Sequence, residues 1–218
     1  MKIRTRLLAA ALLLAAASNP AQAQRLWTSA DLSFGLTKNL TGSVQGEYRT
    51  QDRFDGPERW TASASADYRI HPQVKLTAQY MYFQRYFPEE TTDRGTTLRR
   101  GYNRAAFAIT GSQRWDAVTL SLRERYQYTC LVGDAQAAKH VLHATLRAEY
   151  AIRDCKLKPY GSAELYNRLS DFGYDESRFT AGAVYSFTRH YALDLYYRYI
   201  DASVCGGHFL GVGCHFKL

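Results

Sequence analysis

Arg59-Trp60-Thr61-Ala62-Ser63-Ala64-Ser65-Ala66-Asp67-Tyr68-Arg69-Ile70 is the stretch that decides the fold. Trp60, Ala62, Ala64, Ala66, Tyr68 and Ile70 alternate with Arg59, Thr61, Ser63, Ser65, Asp67 and Arg69. A period of two is that of a β-strand with two unlike faces. Leu40 to Tyr48 repeats it, with Leu40, Gly42, Val44, Gly46 and Tyr48 opposing Thr41, Ser43, Gln45 and Glu47. His140 to Ile152 does the same: Leu142, Ala144, Leu146, Ala148 and Tyr150 oppose His143, Thr145, Arg147 and Glu149. Helical periodicity appears nowhere at comparable length. The chain is all-β.

Eleven such segments lie near 27–36, 40–50, 59–70, 74–86, 97–110, 115–129, 140–152, 156–168, 177–187, 191–201 and 207–217. Thr37-Lys38-Asn39, His71-Pro72-Gln73 and Thr188-Arg189-His190 read as tight turns. Gln51 to Glu58, Phe87 to Thr96, Leu131 to Lys139 and Ser170 to Glu176 read as longer polar loops. Short turns at one end and long loops at the other describe a meander of hairpins, the layout of bacterial outer-membrane barrels. Single-chain bacterial barrels have even strand numbers. The expectation is therefore a transmembrane antiparallel up-and-down β-barrel of 10 or 12 strands, with 12 preferred, one segment having been split, merged or missed.

The direction of the apolar face separates a membrane barrel from a soluble one. Trp60 and Tyr68 lie eight residues apart on one face, as do Phe179 and Phe187, and Tyr191 and Tyr199. Eight residues span roughly 26 Å along a strand, or about 20 Å of depth at a tilt near 40°, close to an apolar band of ~25 Å between aromatic girdles. Ala and Leu fill the interval: Ala62, Ala64 and Ala66; Ala181 and Ala183; Leu193 and Leu195. Small residues between rings pack a core badly but suit a lipid-facing belt. The opposite face collects Glu47, Arg49, Asp67, Arg69, Arg85, Arg123, Arg125, Arg147, Glu149, Glu164, Arg168, Arg178, Asp194 and Arg198. So many ionisable groups do not fit a dry interior, whereas in a hydrated lumen they pair across strands. Arg123, Arg125, Arg147, Glu149, Glu164, Arg168, Arg178 and Arg198 form the expected lumen charge network. Glu124 breaks the pattern by falling on the lipid-facing parity.

Residues 1–23 have the layout of a cleaved signal peptide: basic Lys2, Arg4 and Arg6, an apolar run from Leu7 to Ala17, then Ala21-Gln22-Ala23. Residues 24–218 are then the barrel domain, and the balance of charge falls from +8 to +5 because the signal holds three of the 28 basic residues. No later segment has the roughly 20 apolar residues of a membrane helix. Aromatics at 14%, with 17 Tyr, exclude a disordered chain. Acids interleave the basic residues, so the charge gives no nucleic-acid surface.

Chemistry beyond the lumen is sparse. A lipid-modifying membrane enzyme needs a nucleophile beside a His that a third group orients. His143 and Thr145 share a face with Glu149, but that face is the lumen and Thr stands in for Ser. Cys130, Cys155, Cys205 and Cys214 are spaced by 25, 50 and 9, which matches no zinc pattern. Cys130 and Cys205 fall at the same end and are a candidate disulfide in an oxidising envelope. No catalytic residue, cofactor or metal ligand is assigned.

Gly101-Tyr102-Asn103-Arg104, Leu122-Arg123-Glu124-Arg125-Tyr126 and Pro159-Tyr160-Gly161-Ser162-Ala163-Glu164-Leu165-Tyr166-Asn167 carry a resemblance. Ser177-Arg178-Phe179-Thr180-Ala181-Gly182 and Leu193-Asp194-Leu195-Tyr196-Tyr197 complete it. Across most of the mature chain they resemble an outer-membrane barrel family, domain of unknown function 2490 (DUF2490). The resemblance implies a location and a fold but transfers no activity; terminal Leu218 and the cysteines depart from the pattern. The expected protein is an integral barrel of the Gram-negative outer membrane, porin-like, either a narrow charged-lumen diffusion channel or a structural barrel. Its partners would be outer-membrane lipids, the assembly machinery that reads the last strand, and small solutes. The alternatives are an outer-membrane lipid-modifying enzyme and a secreted soluble ligand-binding barrel.

Overall fold

Alternating sequences pair along their backbones and bury one face, and here they close on themselves. The computed structural model describes residues 25–218 apart from 55, 92–96 and 203–205. The expected signal peptide lies outside these residues. The strands are β1 (Arg25–Gly35), β2 (Leu40–Thr50), β3 (Pro57–His71), β4 (Val74–Thr91), β5 (Thr97–Trp115), β6 (Val118–Leu131), β7 (Asp134–Tyr150), β8 (Leu157–Arg168), β9 (Tyr174–Ser186), β10 (Tyr191–Ala202) and β11 (Gly207–Lys217). Each pairs antiparallel with its neighbours in sequence, and β1 meets β11 to close the barrel.

The closure corrects the expected count of 10 or 12. Among the described residues there are eleven strands, one for each sequence segment, and β1 pairs with β11 in parallel from Arg25↔Phe209 to Ser33↔Lys217. An odd meander brings its first and last strands together running the same way. Parallel strands hydrogen-bond almost as well as antiparallel ones, so closure does not demand an even number.

The two ends differ, though less than expected. The turns at 36–39 and 187–190 are held alike: the Thr37 hydroxyl accepts the Leu40 N–H at 3.1 Å, and the Thr188 hydroxyl accepts the Tyr191 N–H at 3.1 Å. Two expected long loops are mostly strand. The ladder continues through β4 to Thr91 and into β7 from Asp134, leaving Val132-Gly133 as a tight turn with Gly133 at φ +87°. Backbone pairing needs no apolar face, so polar residues beyond the alternating belt still ladder. At 18 and 19 residues, β4 and β5 exceed the roughly 9–11 that cross a bilayer. This explains why the 97–110 segment mixes apolar and charged residues on both faces.

Orientation follows the alternation. Leu195 is 51% exposed and Phe107 62% exposed, both on the outside, where Ala64 also lies. Thr61, Thr77, Gln127, His143, Thr180 and Asp194 point inward and are buried. Outward rings cluster near both ends: Trp60 lies 5.3 Å from Tyr82, Tyr185 4.9 Å from Phe187, and Tyr191 5.4 Å from Phe216. Glu124 does lie on the outer face, paired in register with Ile109 and Ala144, with no bulge there to turn it inward.

Tyr196 shows how the interior is fitted. It is opposite Gly182 on β9 and Gly211 on β11, and a Cβ on Gly211 would sit 2.0 Å from the tyrosine ring. A glycine in a strand costs packing, and a neighbouring ring laid across it restores contact. Gly211→Ala is therefore expected to lower stability by about 1–3 kcal/mol through overpacking. Gly46→Ala, on the outer face with nothing within 4 Å, should leave it unchanged. Thermal midpoints followed by circular dichroism check the contrast.

Candidate functional site in the lumen

The inward parity of eleven strands supplies the lumen, and its polar groups fall into a closed layer and an open cavity. The layer lies in the half nearer the long loops. Trp27 on β1 is 4% exposed and Phe209 on β11 2% exposed; they meet edge to face at 6.2 Å, with Ile200 of β10 completing the cluster. The Arg49 guanidinium stands 3.2 Å from the Trp27 ring centre, Arg198 4.4 Å and Arg178 5.6 Å. A guanidinium on a ring face gains about 0.5–2 kcal/mol, more as water is excluded.

The layer continues around the wall. Glu47 accepts from Arg49 at 2.8 Å and from Arg59 at 2.9 Å. Arg59 and Arg104 lie 5.1 and 5.0 Å from the Phe83 ring, which stacks on Tyr102 at 5.0 Å. Arg104 donates to Thr129 on β6 at 2.8 Å. Gln127, also on β6, meets His143 Nδ1 on β7 at 3.2 Å. His143 stacks on Tyr166 of β8 at 3.9 Å. Glu164 then takes His143 Nε2 at 3.2 Å, the Tyr166 hydroxyl at 2.9 Å and Arg198 at 3.5 Å. Arg178 on β9 pairs with Glu176 and lies 4.4 Å from the Tyr166 ring, completing the circuit to Trp27. Every strand contributes to this transverse layer.

The other half holds a cavity of about 270 Å³ against β1 to β4 and β6, lined by Asp31, Ser43, Gln45, Ser63, Ser65, Asp67, Lys75, Thr77, Gln79, Arg123 and Arg125. On the facing wall the Tyr160 hydroxyl donates to Asp194 at 2.9 Å, and Arg147 sits 3.7 Å from the Tyr160 ring while bonding Glu149 at 2.7 Å.

The structure thus divides the expected network. Glu164, Arg178 and Arg198 belong to the closed layer, Arg123 and Arg125 to the cavity, and Arg147 and Glu149 to the facing wall. Arg168 belongs to none of these: it bonds Asp171 at 3.0 Å in the exposed 169–173 loop. There the Gly173 N–H, and then Arg168, hold the Asp171 carboxyl below the usual carboxylate range. The ring partners Trp27, Phe83, Tyr102, Tyr166 and Phe209 were not assigned to the lumen from the sequence, nor was Arg104, while Arg59 was placed on the polar face but not in the network. The signal that finds the rings is aromatic residues on the polar parity. For the candidate disulfide, Cys130 carries a free thiol 3.9 Å from the Asn103 carbonyl, and Cys205 lies outside the described residues.

His143 does not have triad geometry. Thr145 Oγ1 lies 3.0 Å from Nε2, the same nitrogen that Glu164 approaches. A catalytic imidazole takes its orienting carboxylate on one nitrogen and serves the hydroxyl with the other. At 6% exposure, with Gln127 on Nδ1, it is a cross-strand connector.

No curated protein matches the chain. Among solved structures it is similar to the NanC porin, at 14% identity and a TM-score of 0.57, covering 89% of this chain and 98% of that one. It is also similar to the translocator domain of the autotransporter NalP from Neisseria meningitidis, at 13% identity and a TM-score of 0.50, covering 85% and 77%. Both likenesses are of fold: a closed β-barrel of outer-membrane type. Residues 24–203 match the protein of unknown function family DUF2490, and the chain belongs to that family.

Proposed function

We propose that this chain is an integral outer-membrane β-barrel, exported by the signal at residues 1–23, whose lumen is sealed at rest by the Trp27 layer. The observation that carries the membrane reading is the outward apolar belt of Val44, Leu122, Leu146, Leu195 and their neighbours, bounded by rings, around an ion-paired interior. The porin likeness supports the same setting. A soluble barrel would place these faces the other way. Supporting the seal, the layer joins all eleven strands through stacked rings and guanidiniums. The cavity then forms a cup open toward the short turns, where the Lys75 side chain is 44% exposed. Short turns lie on the periplasmic side in barrels of this kind.

Two measurements test this reading. Charge on a lipid-facing surface destabilises a barrel, less for Asp and Glu than for the roughly 2–4 kcal/mol of Arg or Lys at mid-depth. Glu124→Leu is therefore expected to raise the unfolding midpoint in lipid bilayers; an unchanged or lowered midpoint counts against lipid contact at that face. In planar bilayers the unmodified protein is expected to conduct poorly, and Trp27→Ala to raise its conductance several-fold by removing the surface on which three arginines rest. Steady porin-sized conductance from the unmodified barrel would refute the seal.

A further inference from the structure

We infer that the cup binds a small oxyanion, a free phosphate or carboxylate, between Arg123 and Arg125. The two residues are separated by one position on β6 and both face inward, with Cα atoms roughly 7 Å apart along a strand. The Nε atoms of both are buried and donate to nothing. Among the described residues Arg125 reaches only Gln79, through Nη2. Among the described residues Arg123 has no hydrogen-bond acceptor and no direct ion pair, and the Asp67 and Glu164 carboxylates act on it only at longer range.

The cavity's own acids are engaged elsewhere. Asp67 accepts from Lys75 at 2.9 Å and from Thr77 at 2.6 Å. Asp31 pairs with His215 across the seam. In the layer above, Arg49, Arg59, Arg178 and Arg198 each have a carboxylate, and Arg104 has Thr129 and the Phe83 ring instead. A half-buried guanidinium with no direct ion pair is costly, and two on one strand repel as well. An anion removes both costs, since the guanidinium fork matches the two oxygens of a carboxylate or phosphate. Across the cavity, Ser43 and Ser65 share a 2.7 Å hydroxyl contact and Ser63 lies 3.3 Å from the Gln79 amide. These neutral groups add hydrogen bonds to bound oxygens without competing charge. At about 270 Å³ the space suits one compact ion and its water, not a chain of residues or a lipid.

Inorganic phosphate is the probe, with the full barrel in detergent micelles at constant ionic strength, chloride replacing phosphate. The thermal midpoint is expected to rise with phosphate and saturate, as binding to the folded state requires. Arg123→Gln and Arg125→Gln should abolish the rise. Arg147→Gln, on the facing wall and already paired with Glu149, should keep it. Arg123→Gln should also be at least as stable as the parent without phosphate, because it removes a half-buried charge that has no direct ion pair and that repels Arg125. Saturable broadening of the phosphorus resonance by the unmodified protein gives a second readout that needs no variant. Absence of saturation in the parent, or equal saturation in Arg123→Gln, overturns the site and leaves the two arginines merely hydrated. Binding is read without conductance or membrane insertion, so its failure is distinguishable from failure of the sealed-lumen reading.

Discussion

An alternating strand has two places to put its side chains, and closing eleven such strands into a cylinder makes one of those places finite. That constraint governs the rest of the molecule. The outside carries Ala and Leu across its belt, with paired rings such as Trp60 and Tyr82 near its ends. The inside must house arginines and carboxylates in limited volume, where a lone charge costs several kcal/mol. Each therefore needs a partner, and the partner must come from a neighbouring strand or from across the bore.

The interior meets the demand in two ways. In the layer near the long loops, carboxylates alone do not suffice, and rings serve as the second set of acceptors for positive charge. Trp27 faces Arg49, Arg178 and Arg198, and Phe83 faces Arg59 and Arg104. Flat surfaces fill space as well as they neutralise, so the electrostatic solution is also a steric one. In the cavity toward the short turns no ring intervenes, the acids turn to Lys75, Thr77 and His215, and two guanidiniums are left facing a space. The difference lies in which residue types alternate on β2 to β4: Glu47, Arg59 and Phe83 above, Ser43, Ser63 and Thr77 below.

Most of the fold is legible in sequence because alternation is local. A strand such as β3 declares its two faces within its own residues, and the lumen charges follow by parity. Three features are not local. Trp27 and Trp60 look alike in a string, yet opposite parity sends one into the bore and the other to the outer girdle. The parallel seam depends on which strands happen to be first and last, a property of the count rather than of any segment. The hairpin through Val132-Gly133 keeps its ladder without hydrophobic contrast, so hydropathy stops where hydrogen bonding does not. Arg168 has the right parity and the wrong height, which one-dimensional spacing does not separate.

The seam between β1 and β11 has a kinetic meaning. All other strand pairs join segments adjacent in the chain, so hairpins zip in sequence with small loss of entropy. Asp31 and His215, which meet there, are 184 positions apart in the chain. On loop-closure entropy that joint is the costliest to form, and Trp27 with Phe209 sits on it.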